Sequence, residues 1–230
     1  MQVLLGLAEL PEVLERAPRG EGWLGAGERE RLAALAHPGR RAQFLAGRAL
    51  ARELLVERGG GQWHDWSVER DARGAPCVLW RGEASALQLS LAHSGSRIFC
   101  AVAECALGVD VEQPARERNF LELADALYPA EFAAALAPLD GIERRRRFFQ
   151  RWTLDEALAK ASGDGLQPKA LRQRHWLDTG HGPAQAWTWE LPDGWLALAL
   201  RDASAGVPRF CWHSPPGLEA PQSWRCAWAD

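Results

Sequence analysis

The sequence lacks a long apolar segment. It contains no run of about 18 apolar residues, the length that a membrane-spanning helix requires, and its N-terminus shows no charged leader followed by an apolar core. We therefore expect neither a spanning helix nor a signal peptide. These absences predict a cytoplasmic protein without a membrane partner.

Paired cysteines are also absent. The five cysteines form no Cys-x-x-Cys pair and are widely separated, at Cys77, Cys100, Cys105, Cys211 and Cys226. An odd, scattered set predicts neither a disulfide framework nor a zinc site. Reduced thiols of this kind are typical of the cytoplasm.

The chain has no excess of basic residues. It carries 27 Lys and Arg against 30 Asp and Glu, a formal net charge of -3. A general nucleic-acid-binding protein normally has a basic balance, because it must neutralise the phosphates that it contacts. We therefore expect no nucleic-acid partner.

The first half of the chain contains a recognisable order of elements. A short apolar run at 3–7 indicates a strand, and the apolar stripe of 40–58 indicates a long helix. Leucines then alternate with polar residues over 87–91, which is the period of a half-buried strand. The order is therefore strand, helices, then a cluster of strands.

The second half repeats this order. A strand at 107–112 is followed by helices, the longest at 140–161, and then by a hairpin at 185–200. No repeat is visible at the level of single residues. The pattern predicts an α+β fold of two similar halves, 1–106 and 107–230.

The ends of the long second helix carry clear signals. Asp140 is a plausible N-cap with Glu143 three residues later, and Gly163 is a plausible stop. The tail at 214–230 contains three prolines, and we expect it to be irregular.

Two carboxylates occupy alternate positions of the strand at 107–112. Because alternate side chains of a strand point the same way, Asp110 and Glu112 share one face, and Val109 and Val111 take the other. Adjacent carboxylates repel each other unless a cation or proton lies between them, and hard oxygen ligands suit magnesium. The pattern is equally typical of an acidic pair that points into water.

The helix at 140–161 carries a second group. Trp152, Glu156 and Lys160 are four residues apart and share one face. A carboxylate followed by an amine one turn later would supply a metal ligand or a base beside a phosphate-binding cation. An ordinary surface ion pair, worth about 0.2–0.5 kcal/mol, is the better interpretation of this helix alone.

A histidine and three arginines are further candidates. His93 follows the phase of the leucines before it, so it is either a packed core histidine or part of a turn that meets a phosphate. Arg41, Arg48 and Arg52 share a face of the first long helix and would suit forked hydrogen bonds to a phosphate.

Four consecutive arginines at 144–147, followed by Arg151, form the strongest charge run. Such a run is usually a solvated helix surface. It would also attract an acidic partner over a distance.

Taken together and in order, these segments resemble the 4'-phosphopantetheinyl transferase superfamily. The similarity runs from about residue 40 to residue 166 and rests on five segments in a fixed order. They are Gly47-Arg48 in the first long helix, Gly74-Ala75-Pro76 (G-K-P in the family), His93-Ser94-Gly95 (part of S-x-S-H-S), Gly108-Val109-Asp110-Val111-Glu112 (G-[IV]-D-[IV]-E) and Trp152-Thr153-Leu154-Asp155-Glu156-Ala157-Leu158-Ala159-Lys160 (W-x-x-K-E-[AS]-x-x-K).

The length is similar to that of the larger class of this family, which activates peptide and polyketide synthetases. That resemblance implies a pseudo-dimeric monomer with one active site at the junction of its halves. It also implies transfer of the phosphopantetheine arm of coenzyme A to a serine of an acidic apo acyl or peptidyl carrier protein, as in holo-[acyl-carrier-protein] synthases. The other product would be adenosine 3',5'-bisphosphate.

The resemblance also implies roles for single residues. Asp110, Glu112 and Glu156 would hold magnesium, and Glu156 would take the proton of the carrier serine. Lys160 would bind the diphosphate and help the leaving group. Arg48 and His93 would hold phosphates of coenzyme A.

Three positions depart from the family pattern. Ala75 and Asp155 replace lysines, and Ala92 replaces a serine. Losing two cations and gaining an anion would weaken the binding of a multiply charged ligand. The departures motivate a second hypothesis, a weakened or non-catalytic relative that binds a carrier protein or coenzyme A. A third, an unrelated metal-dependent phosphohydrolase, requires the order of the motifs to be a coincidence.

Overall fold

The computed structural model describes residues 1–71, 74–113, 118–180, 182–202 and 207–228. The first half contains β1 (Gln2–Glu9), α1 (Leu10–Arg16), α2 (Ala26–Ala34), α3 (Pro38–Gly59), a 3-10 turn (Trp63–Asp65), β2 (Trp66–Arg70), β3 (Pro76–Trp80), β4 (Glu83–Ala84), β5 (Gln88–Ser94) and β6 (Arg97–Ala103). None of the helices in the described part of the chain is long and apolar enough to cross a membrane.

The second half follows the same order of elements. It contains β7 (Leu107–Glu112), α4 (Phe120–Leu127), α5 (Ala130–Leu136), α6 (Gly141–Ser162), α7 (Pro168–Gln173), β8 (Arg174–Asp178), β9 (Ala186–Leu191), β10 (Gly194–Leu200), β11 (Arg209–Trp212) and β12 (Gln222–Trp228).

The two halves share a topology. In the first, β1 pairs antiparallel with β6, and β6 with β5; in the second, β7 pairs antiparallel with β10, and β10 with β9. A helix of 22 residues packs on each set of three strands, α3 in the first half and α6 in the second. The predicted α+β fold with two similar halves is confirmed.

The two long helices begin and end where local chemistry dictates. The Asp140 side chain accepts a hydrogen bond from the Glu143 amide at 2.9 Å, and Gly163 ends α6 in the left-handed conformation. Both signals were predicted for α6. In α3, the His37 ring accepts a hydrogen bond from the Gly39 amide. Pro38 occupies the first turn, where a backbone N–H would have no partner within the helix, so its missing N–H costs no hydrogen bond.

The described residues form four buried apolar clusters. Three of them lie against the faces of the two large sheets, and the fourth lies between α4, α5, α6 and α7. One face of β1 and β6 packs on α3, and the opposite face meets the second sheet. Their shared core contains residues of both halves, including Val3, Leu5, Phe99, Ala101, Val109, Val111, Leu196 and Leu198. The layers therefore run from α3 through two sheets to α6.

The last two strands of the chain extend both sheets. β11 lies just before the 214–230 tail and pairs parallel with β1, from Gln2 opposite Arg209 to Leu5 opposite Trp212, so it joins the first sheet. β12 pairs with both β9 and β8 in the second sheet. The prediction of an irregular tail holds for 214–221 but is wrong for 222–228, because β12 completes a sheet whose other members are distant in sequence.

Candidate active site

The predicted carboxylate pair lies on the face of β7 that meets α6. Val109 and Val111 are buried between the two sheets, and Asp110 and Glu112 lie on the other face. The contact with α6 depends on Gly108, since a Cβ there would lie 2.0 Å from the carbonyl oxygen of Ala157. The close approach brings the helix directly over the strand.

Asp110 forms an ion pair with Lys160. The Lys160 Nζ lies 2.7 Å from Asp110 Oδ1, while the buried Asp110 Oδ2 has no hydrogen-bond partner. Burial, with smaller contributions from Glu112 and Glu156, raises the pKa of Asp110 to about 7 against the opposing effect of Lys160. The site therefore contains a buried carboxyl group of which one oxygen is bound by an ammonium and the other has no hydrogen-bond donor.

Glu112 is held by side chains of both halves. The Trp152 indole Nε1 donates to Glu112 Oε1 at 3.0 Å, and the Ser94 hydroxyl donates to Glu112 Oε2 at 3.1 Å. Nearby, the Ser90 hydroxyl accepts from the Val109 amide at 3.0 Å. Serines of β5 in the first half thus fix β7 of the second.

Glu156 and Lys160 line a cleft at the junction of the halves. The cleft measures about 490 Å³ and takes its walls from β5, the end of α6 and the segment that includes Ala75. Burial raises the pKa of Glu156, and Lys160 opposes that effect. A half-buried carboxylate beside a cation is suited to accept a proton.

The described residues contain no three His, Cys, Asp or Glu side chains grouped so that they could hold a metal ion. The three-carboxylate magnesium site of Asp110, Glu112 and Glu156 therefore stays a prediction. Lys160 supplies the positive charge next to Asp110 in this arrangement.

A second cavity adjoins the cleft and shares Gly74, Pro76 and Leu91 with it. It measures about 370 Å³, and both Arg48 and His93 line it. Partial desolvation of the ring lowers the pKa of His93, and so do the positive charges of Arg40 and Lys160. The two predicted phosphate-binding residues thus lie on one surface.

Arg48 is a constrained member of this cavity. Its Nε lies 3.0 Å from a Glu28 carboxylate oxygen, and its guanidinium lies over the Phe44 ring at 4.7 Å. Burial lowers the pKa of Arg48 to about 10, although Glu28 opposes that effect.

Three further arginines line the second cavity: Arg31, Arg40 and Arg70. They come from α2, α3 and β2. Sequence reasoning missed them, because no spacing in the chain connects residues of three separate elements. The one available signal was their occurrence in the segments around the predicted phosphate contacts.

Arg41 and Arg52, which were predicted to share the phosphate-binding face of α3 with Arg48, have structural roles. Arg52 is fully buried and binds the Glu28 carboxylate and the carbonyl oxygens of Trp63 and Trp66. Arg41 lies 3.6 Å from a Glu21 carboxylate oxygen. The three arginines do share a face of α3, as predicted, but their side chains pair with Glu21 and Glu28 of the N-terminal region.

The structure also corrects the expectation about Asp155. Its side chain is fully buried and accepts hydrogen bonds from Arg151 at 2.8 Å, Arg174 at 2.9 Å and Trp176 at 3.0 Å. It therefore adds no anion to the cleft. Ala92 packs in the core between the sheets, so of the three departures only Ala75 lines the cleft.

Comparisons with known proteins find relatives of this chain. The sequence model of the 4'-phosphopantetheinyl transferase superfamily matches residues 106–200. The 4'-phosphopantetheinyl transferase HetI of Nostoc sp. strain PCC 7120 is 30% identical over 185 residues, which are 76% of this chain and 77% of HetI. A phosphopantetheinyl transferase of Thraustochytrium sp. is 29% identical over 229 residues, which cover 87% of this chain and 79% of that protein.

A solved structure is also similar. The holo-(acyl-carrier-protein) synthase of Bacillus anthracis, in complex with CoA (3',5'-ADP), matches with a TM-score of 0.36 and 22% identity, over 44% of this chain and 92% of that one. The extent of the match to HetI decides the family. This chain belongs to the 4'-phosphopantetheinyl transferase superfamily.

Proposed function

We propose that the protein transfers the 4'-phosphopantetheine arm of coenzyme A to a serine of an apo acyl or peptidyl carrier protein. It would act as a holo-[acyl-carrier-protein] synthase and release adenosine 3',5'-bisphosphate. One observation carries the proposal: two adjoining cavities, one lined by Lys160 and the other by four arginines, bring cations to two separate places. Coenzyme A has a diphosphate and a separate 3'-phosphate, so it needs cations at two places.

The site lies where residues 1–106 meet residues 107–230, and we propose that division as the boundary of the halves. Ser94 from one half holds Glu112 from the other. Because both halves of one chain contribute, we propose that the enzyme acts as a monomer.

The carboxylates fit a magnesium ion by their chemistry. Asp110 Oδ2 is a buried acceptor without a partner, and carboxylate oxygens are the ligands that Mg²⁺ prefers. We propose that Asp110, Glu112 and Glu156 hold the ion. When bound, it would neutralise charge that develops on the diphosphate.

The chain's own residues would supply proton transfer and positive charge. Glu156 would accept the proton of the carrier serine, whose oxygen attacks the β-phosphorus of coenzyme A. The bond between that phosphorus and the bridging oxygen breaks, and adenosine 3',5'-bisphosphate leaves with the bonding electrons. Lys160 would bind the diphosphate, since its ammonium lies at the wall of the cleft. Such reactions depend on alignment and charge neutralisation.

The arginines of the second cavity favour an active enzyme over a weakened relative. Ala75 removes one lysine from the cleft wall, but Arg31, Arg40 and Arg70 line the adjoining cavity. Asp155, the anion that would have opposed the ligand, is buried between two arginines. We propose that this arginine set, with Arg48 and His93, binds the phosphates of the adenosine end.

The test is a transfer assay with several apo acyl and peptidyl carrier proteins, a fluorescent coenzyme A analogue and magnesium. We expect an increase in carrier mass equal to the labelled arm, release of adenosine 3',5'-bisphosphate, and no labelling after chelation of the metal. If no carrier is labelled, the proposal fails. Calorimetric binding of a carrier or coenzyme A without turnover would favour the non-catalytic alternative, which Ala75 motivates.

A further inference from the structure

Glu28 of α2 is a buried acid that contacts the second cavity only through another residue. It is 1% exposed, and it is not among the described residues that line that cavity. Its contact is with Arg48, which does line the cavity. Burying an ionised carboxylate is costly unless donors satisfy it, so the role of Glu28 follows from its partners.

Donors of four residues converge on this carboxylate. Its Oε1 accepts from Arg52 Nη1 at 3.1 Å and from the Val68 amide at 3.2 Å, and its Oε2 accepts from the Gly25 amide at 2.9 Å. Arg52 Nη2 also donates to Oε2, and Arg48 Nε lies 3.0 Å from Oε1. One buried group therefore ties the start of α2 to α3 and to β2.

These three elements also supply the arginines of the second cavity. Arg31 belongs to α2, Arg40 and Arg48 belong to α3, and Arg70 belongs to β2. Glu28 lies one helical turn before Arg31, and Val68 lies two residues before Arg70 on the same strand. A shift of the Glu28 carboxylate would therefore move the arginines relative to one another.

Glu28 also supports the charge of these arginines. Burial lowers the pKa of Arg31, the positive charge of Arg70 has the same effect, and Glu28 and Glu69 oppose both. Burial also lowers the pKa of Arg48, and Glu28 opposes that effect too. Because hydrogen bonds from a charged guanidinium to a phosphate are the strong ones, the carboxylate acts on charge as well as on position.

Arg48 is oriented from two sides. Glu28 contacts its Nε, and the centre of the Phe44 ring lies 4.7 Å from its guanidinium carbon. The same ring lies 5.4 Å from the guanidinium carbon of Arg31. Because the carboxylate contacts Nε, the forked pair of terminal nitrogens is left for a phosphate in the cavity that Arg48 lines.

We propose that Glu28 is a positioning residue: through Arg48, it makes the enzyme bind coenzyme A more tightly than 3'-dephospho-coenzyme A, which lacks the 3'-phosphate. The inference rests on the proposed function, in which Lys160 binds the diphosphate. The 3'-phosphate is then the group that the arginines of the adjoining cavity bind. Since Glu28 acts on those arginines, its effect appears in the difference between the two compounds.

The test is calorimetric binding of coenzyme A and of 3'-dephospho-coenzyme A to the full chain. We expect Glu28→Gln to raise the Kd for coenzyme A at least ten-fold and to leave the Kd for the dephosphorylated compound within two-fold. Glu28→Asp keeps the charge but withdraws it by one methylene group, so its loss should be smaller. Glu53→Gln is the matched control, because it removes the same charge from an ion pair of α3 with Arg16, outside the cavity. It should change neither Kd by more than two-fold.

Further variants separate positioning from a general loss of stability. Asp155 is likewise a buried acid between two buried arginines, but it lies in the second half. Asp155→Asn should lower the stability to urea and keep the ratio of the two Kd values. In an Arg48→Met background, Glu28→Gln should cost much less affinity for coenzyme A than it does alone, as expected of residues that act together.

The outcomes separate the two proposals. A wild-type chain that binds both compounds equally tightly overturns the inference without any variant. An equal change of the Kd ratio in Glu28→Gln and Asp155→Asn, or an equal cost of Glu28→Gln with and without Arg48, also overturns it. A chain that labels no carrier, but prefers coenzyme A and loses that preference in Glu28→Gln, overturns the proposed function alone and supports the role of Glu28 in binding.

Discussion

Asp110 and Lys160 bind each other in a way that leaves one buried oxygen unused. The ammonium contacts Oδ1, and Oδ2 has no partner. A buried acceptor without a hydrogen bond is costly, at roughly 1–3 kcal/mol, unless another ligand completes it. This side chain should therefore be more important for activity than for stability.

Asp110→Asn tests that conclusion. The amide keeps the shape but neither balances Lys160 nor attracts a cation, so we expect transfer to fall roughly 100-fold or more, since several kcal/mol of charge stabilisation are lost. Transfer is measured by carrier mass, and unfolding by urea. Asp125→Asn, on the exposed surface of α4, is the control and should change neither the rate of transfer nor the free energy of unfolding. An Asp110→Asn enzyme with the wild-type rate would remove Asp110 from the site.

Asp155 has the opposite role. Its carboxylate is the shared partner of Arg151 and Arg174, both of which are buried. We expect Asp155→Ala to destabilise the protein by about 3–5 kcal/mol, because it leaves buried charges uncompensated. Urea unfolding followed by tryptophan fluorescence measures the change, with Asp125→Asn again as the reference. A loss below about 1 kcal/mol would show that the two arginines find other partners.

Ala75 is the one departure from the family pattern that faces the cleft. A lysine there would add a cation beside the diphosphate of coenzyme A. We expect Ala75→Lys to tighten coenzyme A binding about two- to five-fold, the effect of an exposed ion pair of up to about 1 kcal/mol. Calorimetry measures it, and Ala134→Lys on the exposed surface of α5 should leave binding unchanged. Equal tightening by both variants would indicate general charge attraction.

At the scale of elements, the contact between α6 and β7 sets the site. Helix and strand approach so closely at Gly108 that a methyl group would meet backbone atoms of Ala157 and Ala161. Backbone atoms cannot rotate away as a flexible side chain can, so the helix itself would have to move. Glu156 and Lys160 lie on the displaced turns.

Gly108→Ala should therefore disturb the site by moving an element. We expect a loss of about 1–3 kcal/mol in stability, the usual cost of overpacking, together with a marked loss of transfer. Gly141→Ala is the matched control, because nothing lies within 4 Å of a Cβ at the first residue of α6. Wild-type stability and activity for Gly108→Ala would mean that the two elements separate without consequence.

Sequence patterns predicted those features that depend on local chemistry. The alternation of 107–112 gave the faces of β7, and Asp140 and Gly163 gave the ends of α6. The direction of Asp155 was not predictable, because it depends on Arg174, nineteen residues further along the chain. The arginines of the second cavity and the pairing of β12 were missed for the same reason, since distant segments create them.

At the scale of the whole molecule, the two halves share one core. Phe99 and Ala101 of β6 pack in the same cluster as Val109 and Leu198 of the second sheet, and β11 returns from the second half to pair with β1. Neither half is a closed unit by itself. Folding of one sheet should therefore depend on the other.

We expect the whole chain to unfold in a single transition. The 12 tryptophans lie in both halves, so fluorescence reports on each, and circular dichroism reports on all helices. The two urea curves should coincide, as two-state unfolding requires. Phe99→Ala should shift both curves together by about 3–5 kcal/mol. Two separate steps would contradict the dependence of one half on the other.

The shared topology has a consequence for stoichiometry. Gly6 of β1 meets Leu50 and Leu54 of α3, four residues apart, just as Gly108 of β7 meets the turns of α6 that carry Glu156 and Lys160. Two positions after these glycines, β1 has Ala8 where β7 has Asp110. Aliphatic side chains thus occupy this space in the first half, and ionisable side chains occupy the corresponding space in the second half. We therefore expect this duplicated framework to support a single reaction centre, and each chain to bind one molecule of coenzyme A.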